Sequence, residues 1–163
     1  MMIDILQKLI EALRNELQQY GEMLALLDHQ QELVRLCGAD EILHSISAIN
    51  AQSAAIQTAR EHRQSFQHQL AHSIQRPDDS TFADLLPGMP EEYRPLVNAL
   101  VQENNELLER VRQRARQNHL LLSRSLELMQ RFITALPPQH HPVLVTGAEG
   151  LAPQSSSLYE AIV

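Results

Sequence analysis

The sequence has few of the residues that many folds depend on. It contains no Trp and 4% aromatic residues in total, so its core must be built from aliphatic side chains. The single cysteine, Cys37, excludes an intramolecular disulfide framework and any multi-cysteine zinc site. Five glycines in 163 residues argue against a glycine-rich phosphate-binding loop. Leu, Ala, Gln, Glu and Arg are abundant instead, and these residues favour an all-α protein.

Charge and hydropathy exclude further classes. The net charge of -7 and the pI of about 5.6 are wrong for a globally basic nucleic-acid binder. No basic region followed by an apolar run opens the chain, so no secretory signal is predicted. No segment approaches the roughly 18 consecutive apolar residues of a membrane span. We therefore expect a cytoplasmic protein without stable membrane insertion.

Apolar residues recurring in steps of three and four predict three long helices, over residues 3–36, 40–76 and 95–136. The repeat of the first helix is sustained for more than four heptads: Ile3, Leu6, Ile10, Leu13, Leu17, Tyr20, Leu24, Leu27 and Val34. Gly38 is a natural end for that helix, and prolines follow the other two. We expect an antiparallel, coiled-coil-like bundle in one domain over residues 1–136.

Two segments fall outside the long helices. The connector over residues 77–94 holds prolines and an apolar set that should pack on the end of the bundle, with a short helical turn at 80–86: Phe82, Leu85, Leu86, Met89 and Tyr93. The last segment, 137–163, contains Pro, Gly and Ser but no Lys or Arg, and we expect a mostly irregular, flexible tail.

The third helix has a seam with polar interruptions, and its last part is apolar on more than one face. Along the seam run Val97, Val101, Asn104, Leu108, Val111, Ala115, Asn118, Leu122, Ser125, Met129, Phe132 and Leu136. Beside it, Leu121, Leu126, Leu128 and Ile133 widen the apolar face. Two interpretations remain open: core packing against both other helices, or a docking surface for a partner helix that the tail covers in the free protein. Buried polar residues at a few seam positions can fix its register at some cost in stability.

Positive charge is concentrated on the same helix. Residues 110–131 contain six arginines and one glutamate: Arg110, Arg112, Arg114, Arg116, Arg124, Arg131 and Glu127. One interpretation is a solvated face paired with acidic residues of the first helix, such as Glu16, Glu22, Asp28 and Glu32. Another is a site for an acidic partner. A nucleic-acid site is disfavoured, because no aromatic residue lies among the arginines.

Metal and catalytic motifs are weak. His68 and His72 have the spacing of a helical metal chelate, but no third ligand is evident. Glu41 and His44 form one Glu-x-x-His motif where a di-iron bundle requires two. The sequence contains no nucleophile elbow, P-loop or HExxH motif. We predict no enzyme, no cofactor and no metal site.

Two stretches of the chain resemble the flagellar export chaperones of the FlgN type. The first is the segment Ala115–Met129, preceded by Glu103–Asn105 and Leu107–Leu108. The second is Leu13–Val34, which fits the first helix of that family. Together with the helix spacing, the resemblance covers residues 3–136.

The resemblance implies a cytoplasmic chaperone for the hook-associated proteins that join hook to filament. Such a chaperone keeps the C-terminal helical segment of its client soluble and delivers it to the type III export gate. Client binding in this family maps to the end of the last long helix and the segment after it. We therefore expect the partner site to include Leu121, Leu126, Leu128, Met129, Phe132, Ile133 and Leu136, with Arg116 and Arg124 orienting an acidic client segment.

The chain departs from the family at one position. Many members carry a tyrosine before a Gly-x-Asp-Gly-like turn in a region linked to the export gate. Here the turn is Gly147–Gly150 and Thr146 precedes it, so Tyr159 is the candidate substitute. A second class of function remains open from the residues alone, namely a self-assembling coiled coil without a client, in which the wide apolar face makes a homodimer.

Overall fold

A computed structural model describes residues 1–36 and 38–135 of the chain. Its elements are α1 (Met2–Leu36), α2 (Ala39–Ser73), α3 (Phe82–Leu85), a 3-10 turn (Leu86–Gly88) and α4 (Arg94–Ala135). All regular secondary structure in the described residues is helical, which confirms the all-α class. The predicted end of the third helix at residue 136 and the predicted irregular tail, 137–163, lie outside the described residues.

The second helix ends at Ser73, three residues before the predicted end. Gln75 adopts a left-handed conformation with φ of 56°. The N–H of Gln75 donates to the carbonyl of His72, and the N–H of Arg76 donates to the carbonyl of Ala71. These two bonds form a Schellman motif, which satisfies the last carbonyls of the helix. A non-glycine residue at the left-handed position hides this helix end from sequence inspection.

The connector folds against the long helices as predicted. Thr81 and Asp84 form a capping box that starts α3, and hydrogen bonds from the Thr81 side chain and backbone hold the pKa of the Asp84 carboxyl below its ordinary value. Leu85 and Met89 are buried in the hydrophobic core. The remaining three predicted residues are partly buried against that core: Phe82, Leu86 and Tyr93.

The residue contacts divide the chain into two compact units. The first unit consists of Met1–Leu24 and Ala54–Val111, and the second of Ala25–Ser53 and Arg112–Val163, described here to Ala135. The dividing points lie inside α1, α2 and α4, so each long helix contributes one part to each unit.

The first unit contains the main hydrophobic core. Aliphatic side chains from the first parts of α1 and α4, the end of α2 and the connector form one buried cluster: Leu6, Leu9, Ile10, Leu13, Leu70, Ala71, Leu85, Met89, Val97 and Leu100. Asn104 is buried, as its place in the seam predicts, and it follows Leu100 of this cluster by four residues. Its Nδ2 donates to the carbonyls of Leu13 (3.0 Å) and Leu100 (2.9 Å). The bond to Leu13 ties α4 to α1.

A buried charged group also lies in the first unit. Glu16 is 3% exposed, and its carboxylate accepts hydrogen bonds from Arg63 Nε (2.9 Å) and from the Tyr20 hydroxyl (2.8 Å). The expected pairing of Glu16 with an arginine of the third predicted helix is therefore wrong. The buried stripe of α1 passes through Glu16, whereas the predicted seam residue Leu17 is half-buried. Arg63 and Tyr20 satisfy the carboxylate so that its burial is tolerated.

The second unit buries fewer apolar residues. Leu27, Leu33, Ile46 and Ile49 are its buried hydrophobic side chains among the described residues. Three polar side chains are buried with them: Gln30, Ser45 and Asn118. Asn118 is the second of the two seam asparagines, and its Nδ2 donates to the carbonyl of Leu27 (2.7 Å).

Burial of Tyr20 predicts a loss of stability at alkaline pH. Desolvation, together with the neighbouring Glu16, raises the pKa of Tyr20 above its ordinary value of 10.0. Above about pH 10 the unfolded chain releases this proton while the folded chain keeps it, so the free energy of unfolding falls as pH rises. Urea unfolding followed by circular dichroism at about pH 8 and about pH 11 measures the fall.

The Tyr20→Phe variant separates this titration from other alkaline effects. Its neutral-pH stability should drop because the bond to Glu16 is lost, but its alkaline fall should be smaller than that of the unchanged chain. Tyr93→Phe, on the half-buried connector, is the matched control and should fall as the unchanged chain does. An equal alkaline fall in Tyr20→Phe would contradict the account.

Candidate partner-binding surface

The seam residues of α4 become more exposed to solvent toward the end of the helix. Val111 and Asn118 are buried, and Leu122 and Ser125 are half-buried. Further along, Met129 is 57% and Phe132 is 68% exposed. The prediction that Met129 and Phe132 continue the buried stripe of the bundle is therefore wrong for the described residues. The heptad pattern therefore continues along α4 past Asn118, the last buried residue of the seam among the described residues.

The structure places the predicted partner residues in three groups. Leu128, Met129 and Phe132 are exposed, as are Arg116 and Arg124. Leu121, Leu126 and Ile133 are half-buried. Leu136 and Tyr159 lie outside the described residues. Leu120, which the predicted set omitted, is also 57% exposed. It belongs to the same leucine run as Leu121 and could have been included on that basis.

Four of these side chains are neighbours on one surface of α4. Residues three or four apart on a helix lie side by side, which pairs Leu128 with Phe132, Met129 with Phe132, and Met129 with Ile133. We call Leu128, Met129, Phe132 and Ile133 the distal patch. Exposed large apolar side chains grouped in this way are typical of a surface that another chain covers.

Some of the six arginines in residues 110–131, which we call the arginine row, make contacts within the chain. Arg114 Nε lies 2.9 Å from Asp28 Oδ1, and Arg114 also donates to the side chain of Gln31. This pair agrees with the interpretation of a face paired with acidic residues of α1. Arg112 and Arg116 each make an interaction within the chain as well. Arg124 and Arg131 are exposed; Arg124 precedes the distal patch in sequence, and Arg131 lies between its residues Met129 and Phe132.

The weak metal motifs are not brought together. No group of three or more His, Cys, Asp or Glu residues in 1–36 and 38–135 is arranged to hold a metal ion. His68 is exposed, and His72 Nε2 lies 2.9 Å from Asp78 Oδ1 in an exposed pair. Glu41 and His44 are both exposed. Among the described residues, no helix combines the length and the hydropathy that crossing a membrane requires.

These features together describe a helical protein in which α4, the last helix of the described residues, presents exposed apolar side chains beside arginines. A family model described as FlgN protein matches residues 1–152, and the chain belongs to that family. Its members are chaperones of flagellar assembly, so the family predicted from the sequence is confirmed. The comparison with curated proteins and the comparison with solved structures each returned no match.

The exposure of the distal patch predicts that it contributes little to folding. Leu128→Asp should change the free energy of unfolding by less than about 0.5 kcal/mol, because Leu128 is 64% exposed. The matched substitution Leu9→Asp places a charge in the hydrophobic core and should unfold the chain or destabilise it severely. Thermal unfolding followed by circular dichroism measures both. A large loss of helix in Leu128→Asp would show that Leu128 is core.

Proposed function

We propose that this chain is a cytoplasmic type III export chaperone without catalytic activity. It binds hook-associated proteins of the hook-filament junction, keeps them soluble and delivers them to the flagellar export apparatus. The observation that carries the proposal is the exposed distal patch on the last long helix of a FlgN-family protein.

Binding proceeds by capture of a client helix. The C-terminal segment of the client is amphipathic, and it lays its apolar face on the distal patch. The half-buried Leu121 and Leu126 extend the contact toward the middle of α4. Ordering of the client segment costs free energy, so the affinity is modest for the area that is buried. A modest affinity suits a chaperone that must release its client for export.

The register of α4 against α1 accounts for the position of the patch. Asn104 bonds to Leu13 and Asn118 bonds to Leu27, and both pairs are 91 residues apart. At that offset Leu36, the last residue of α1, would lie level with residue 127 of α4. Residues 128–135 would then extend about 12 Å beyond α1, at about 1.5 Å per residue. The two-residue connection between α1 and α2 supports the antiparallel up-down-up bundle that we propose for the three long helices.

Arginines give the surface its selectivity for acidic segments. Arg116 and Arg124 are exposed on α4, and Arg131 lies within the sequence of the distal patch. Charges at the edge of an interface mainly steer the encounter and set its salt dependence. Association should therefore slow as ionic strength rises.

The segment after α4 completes the proposal. Leu136 belongs to the client site by its place in the heptad, and Tyr159 takes the export-gate contact of the family tyrosine that Thr146 replaces. Both lie outside the described residues.

One observation favours a second candidate. The distal patch could also be buried against a second copy of the chain, which would make the protein a self-assembling coiled coil without a client. A mass that rises with protein concentration in the absence of client would favour this function. The two functions are compatible if the client displaces the self-contact.

Co-expression with the hook-associated proteins of the same organism tests the proposal. Size-exclusion chromatography with light scattering would compare the full chain, a chain ending at Leu136, the double variant Leu128→Asp with Phe132→Asp, and the control Leu96→Asp. Loss of two large apolar anchors should weaken the complex by at least about 100-fold, from about 1.5 kcal/mol or more for each side chain. Leu96 is 39% exposed on the first-unit part of α4, so its variant should bind as the unchanged chain does.

The outcomes separate the candidates. A discrete complex that the double variant loses and the control retains supports the chaperone, and the chain ending at Leu136 shows whether residues 137–163 contribute. A stable homodimer without any complex contradicts the client function and favours the coiled coil.

A further inference from the structure

Three buried polar side chains join all three long helices in the second unit. Gln30 of α1 donates through Nε2 to Ser45 Oγ of α2 at 3.1 Å. Asn118 of α4 donates through Nδ2 to Gln30 Oε1 at 3.1 Å and to the carbonyl of Leu27 at 2.7 Å. Ser45 Oγ donates in turn to the carbonyl of Ile42 at 2.6 Å. We call Gln30, Ser45 and Asn118 the polar layer.

The polar layer replaces hydrophobic core that the first unit possesses. Among the described residues, sixteen hydrophobic side chains are buried in the first unit and four in the second. Three polar side chains are buried in each unit, so polar groups form a far larger share of the buried set in the second. All ten residues of the hydrophobic core cluster belong to the first unit.

The two kinds of contact differ in what they contribute to stability. Burial of apolar surface is the dominant favourable term in folding. A buried hydrogen bond is exchanged for bonds to water when the structure opens, so its net contribution is small. The partly exposed ion pair of Arg114 with Asp28 also adds little, because water screens the attraction and two long side chains must be held in place. Among the described residues, the second unit is therefore stabilised by weaker net interactions than the first unit, although the same three helices form both.

We propose that the second unit opens locally at the polar layer while the first unit stays folded. In the open state the second-unit parts of α1, α2 and α4 separate, and their apolar side chains become accessible. Local opening with its own free energy is a general property of regions that contain few buried apolar contacts. The polar layer keeps the closed state in one register without making it as stable as the first unit.

The opening also regulates the proposed client site, and this part rests on the proposed function. The distal patch offers a client helix its first contact, and the open second unit gives the helix access to Leu121 and Leu126, which are half-buried when the unit is closed. Apparent affinity is then reduced by the fraction of chains that are open, so a change in opening changes binding in proportion.

Amide hydrogen exchange of the free, full chain tests the opening, and each long helix supplies its own comparison. Protection over residues 25–32, 43–53 and 112–126 should be at least about tenfold lower than over residues 6–24, 56–70 and 97–111. The three less protected stretches should share one level of protection, because they open together. Fraying would instead give a gradient from the helix ends. Equal protection of both parts of each helix, or a gradient, would overturn the proposal.

Variants of the polar layer place the opening there. Asn118→Ala leaves Gln30 Oε1 without its donor and should speed exchange in the second unit alone. The matched variant Asn104→Ala removes a buried asparagine from the first unit. It should lower the protection of the first-unit stretches and leave the three second-unit stretches at one common level of protection. The triple variant Gln30→Leu, Ser45→Ala and Asn118→Leu replaces all three side chains of the polar layer with apolar ones, while the carbonyls of Leu27 and Ile42 keep the backbone hydrogen bonds of their helices. It should slow second-unit exchange by about tenfold. Unchanged second-unit exchange in both layer variants would overturn the proposal.

A binding measurement then tests the link to the client. The probe is a synthetic peptide of the C-terminal helical segment of a hook-associated protein. The triple variant keeps every residue of the distal patch, so its affinity should fall only as its opening falls, by about tenfold. Unchanged affinity with slowed exchange would overturn the regulatory role. If the unchanged chain fails to bind the peptide, the proposed function fails, while the exchange data still decide the opening.

Discussion

The hydrogen bonds from two buried asparagines to the backbone of α1 hold α4 against that helix, one in each unit. Asn104 bonds to Leu13 in the first unit and Asn118 bonds to Leu27 in the second, at the same sequence offset. A buried amide that must find its acceptor penalises every other register, because a shift would leave it unpaired. An aliphatic seam of Leu and Val alone would tolerate such shifts more readily. In the proposed bundle, this register would carry the end of α4 past the last residue of α1.

Hydrophobic burial is distributed unevenly between the units, and the distribution suits a binding protein. The connector residues Leu85 and Met89 add to the core of the first unit, where Glu16 and Arg63 pair in a buried setting. The second unit contains the polar layer and the distal patch. If both units were equally stable, contacts between the helices of the second unit would be replaced less readily by contacts with a client. The proposed local opening would let the second unit adapt to a client while the first unit stays folded.

Much of the fold could be predicted from the sequence, because long heptad repeats and helix-ending residues are strong signals. The helices that the structure shows over Met2–Leu36 and Arg94–Ala135 begin within one residue of the predicted starts. The end of α2 was missed because Gln75, a residue with no special preference, takes the left-handed position. The buried Glu16 was missed because its partner Arg63 is 47 residues away and no local pattern marks the pair.

The candidate site shows the limit of periodicity. The heptad pattern runs through Met129 and Phe132 as if they were core, whereas both side chains are exposed within the described residues. The spacing of the arginines also does not show which of them pair within the chain. In the structure Arg114 pairs with Asp28, whereas Arg124 is exposed. Family resemblance drew attention to the end of the helix, and the structure shows that Leu128, Met129 and Phe132 are exposed there.

A fluorescent label at the distal patch tests the account most directly. In a Cys37→Ser background, Leu128→Cys would carry an environment-sensitive fluorophore, with Leu96→Cys as the matched position in the first unit. The account predicts that emission from position 128 shifts to the blue when a hook-associated protein is added, because the client buries it. Emission from position 96 should stay unchanged. A complex that forms without any shift at position 128 would contradict the assignment of the client site.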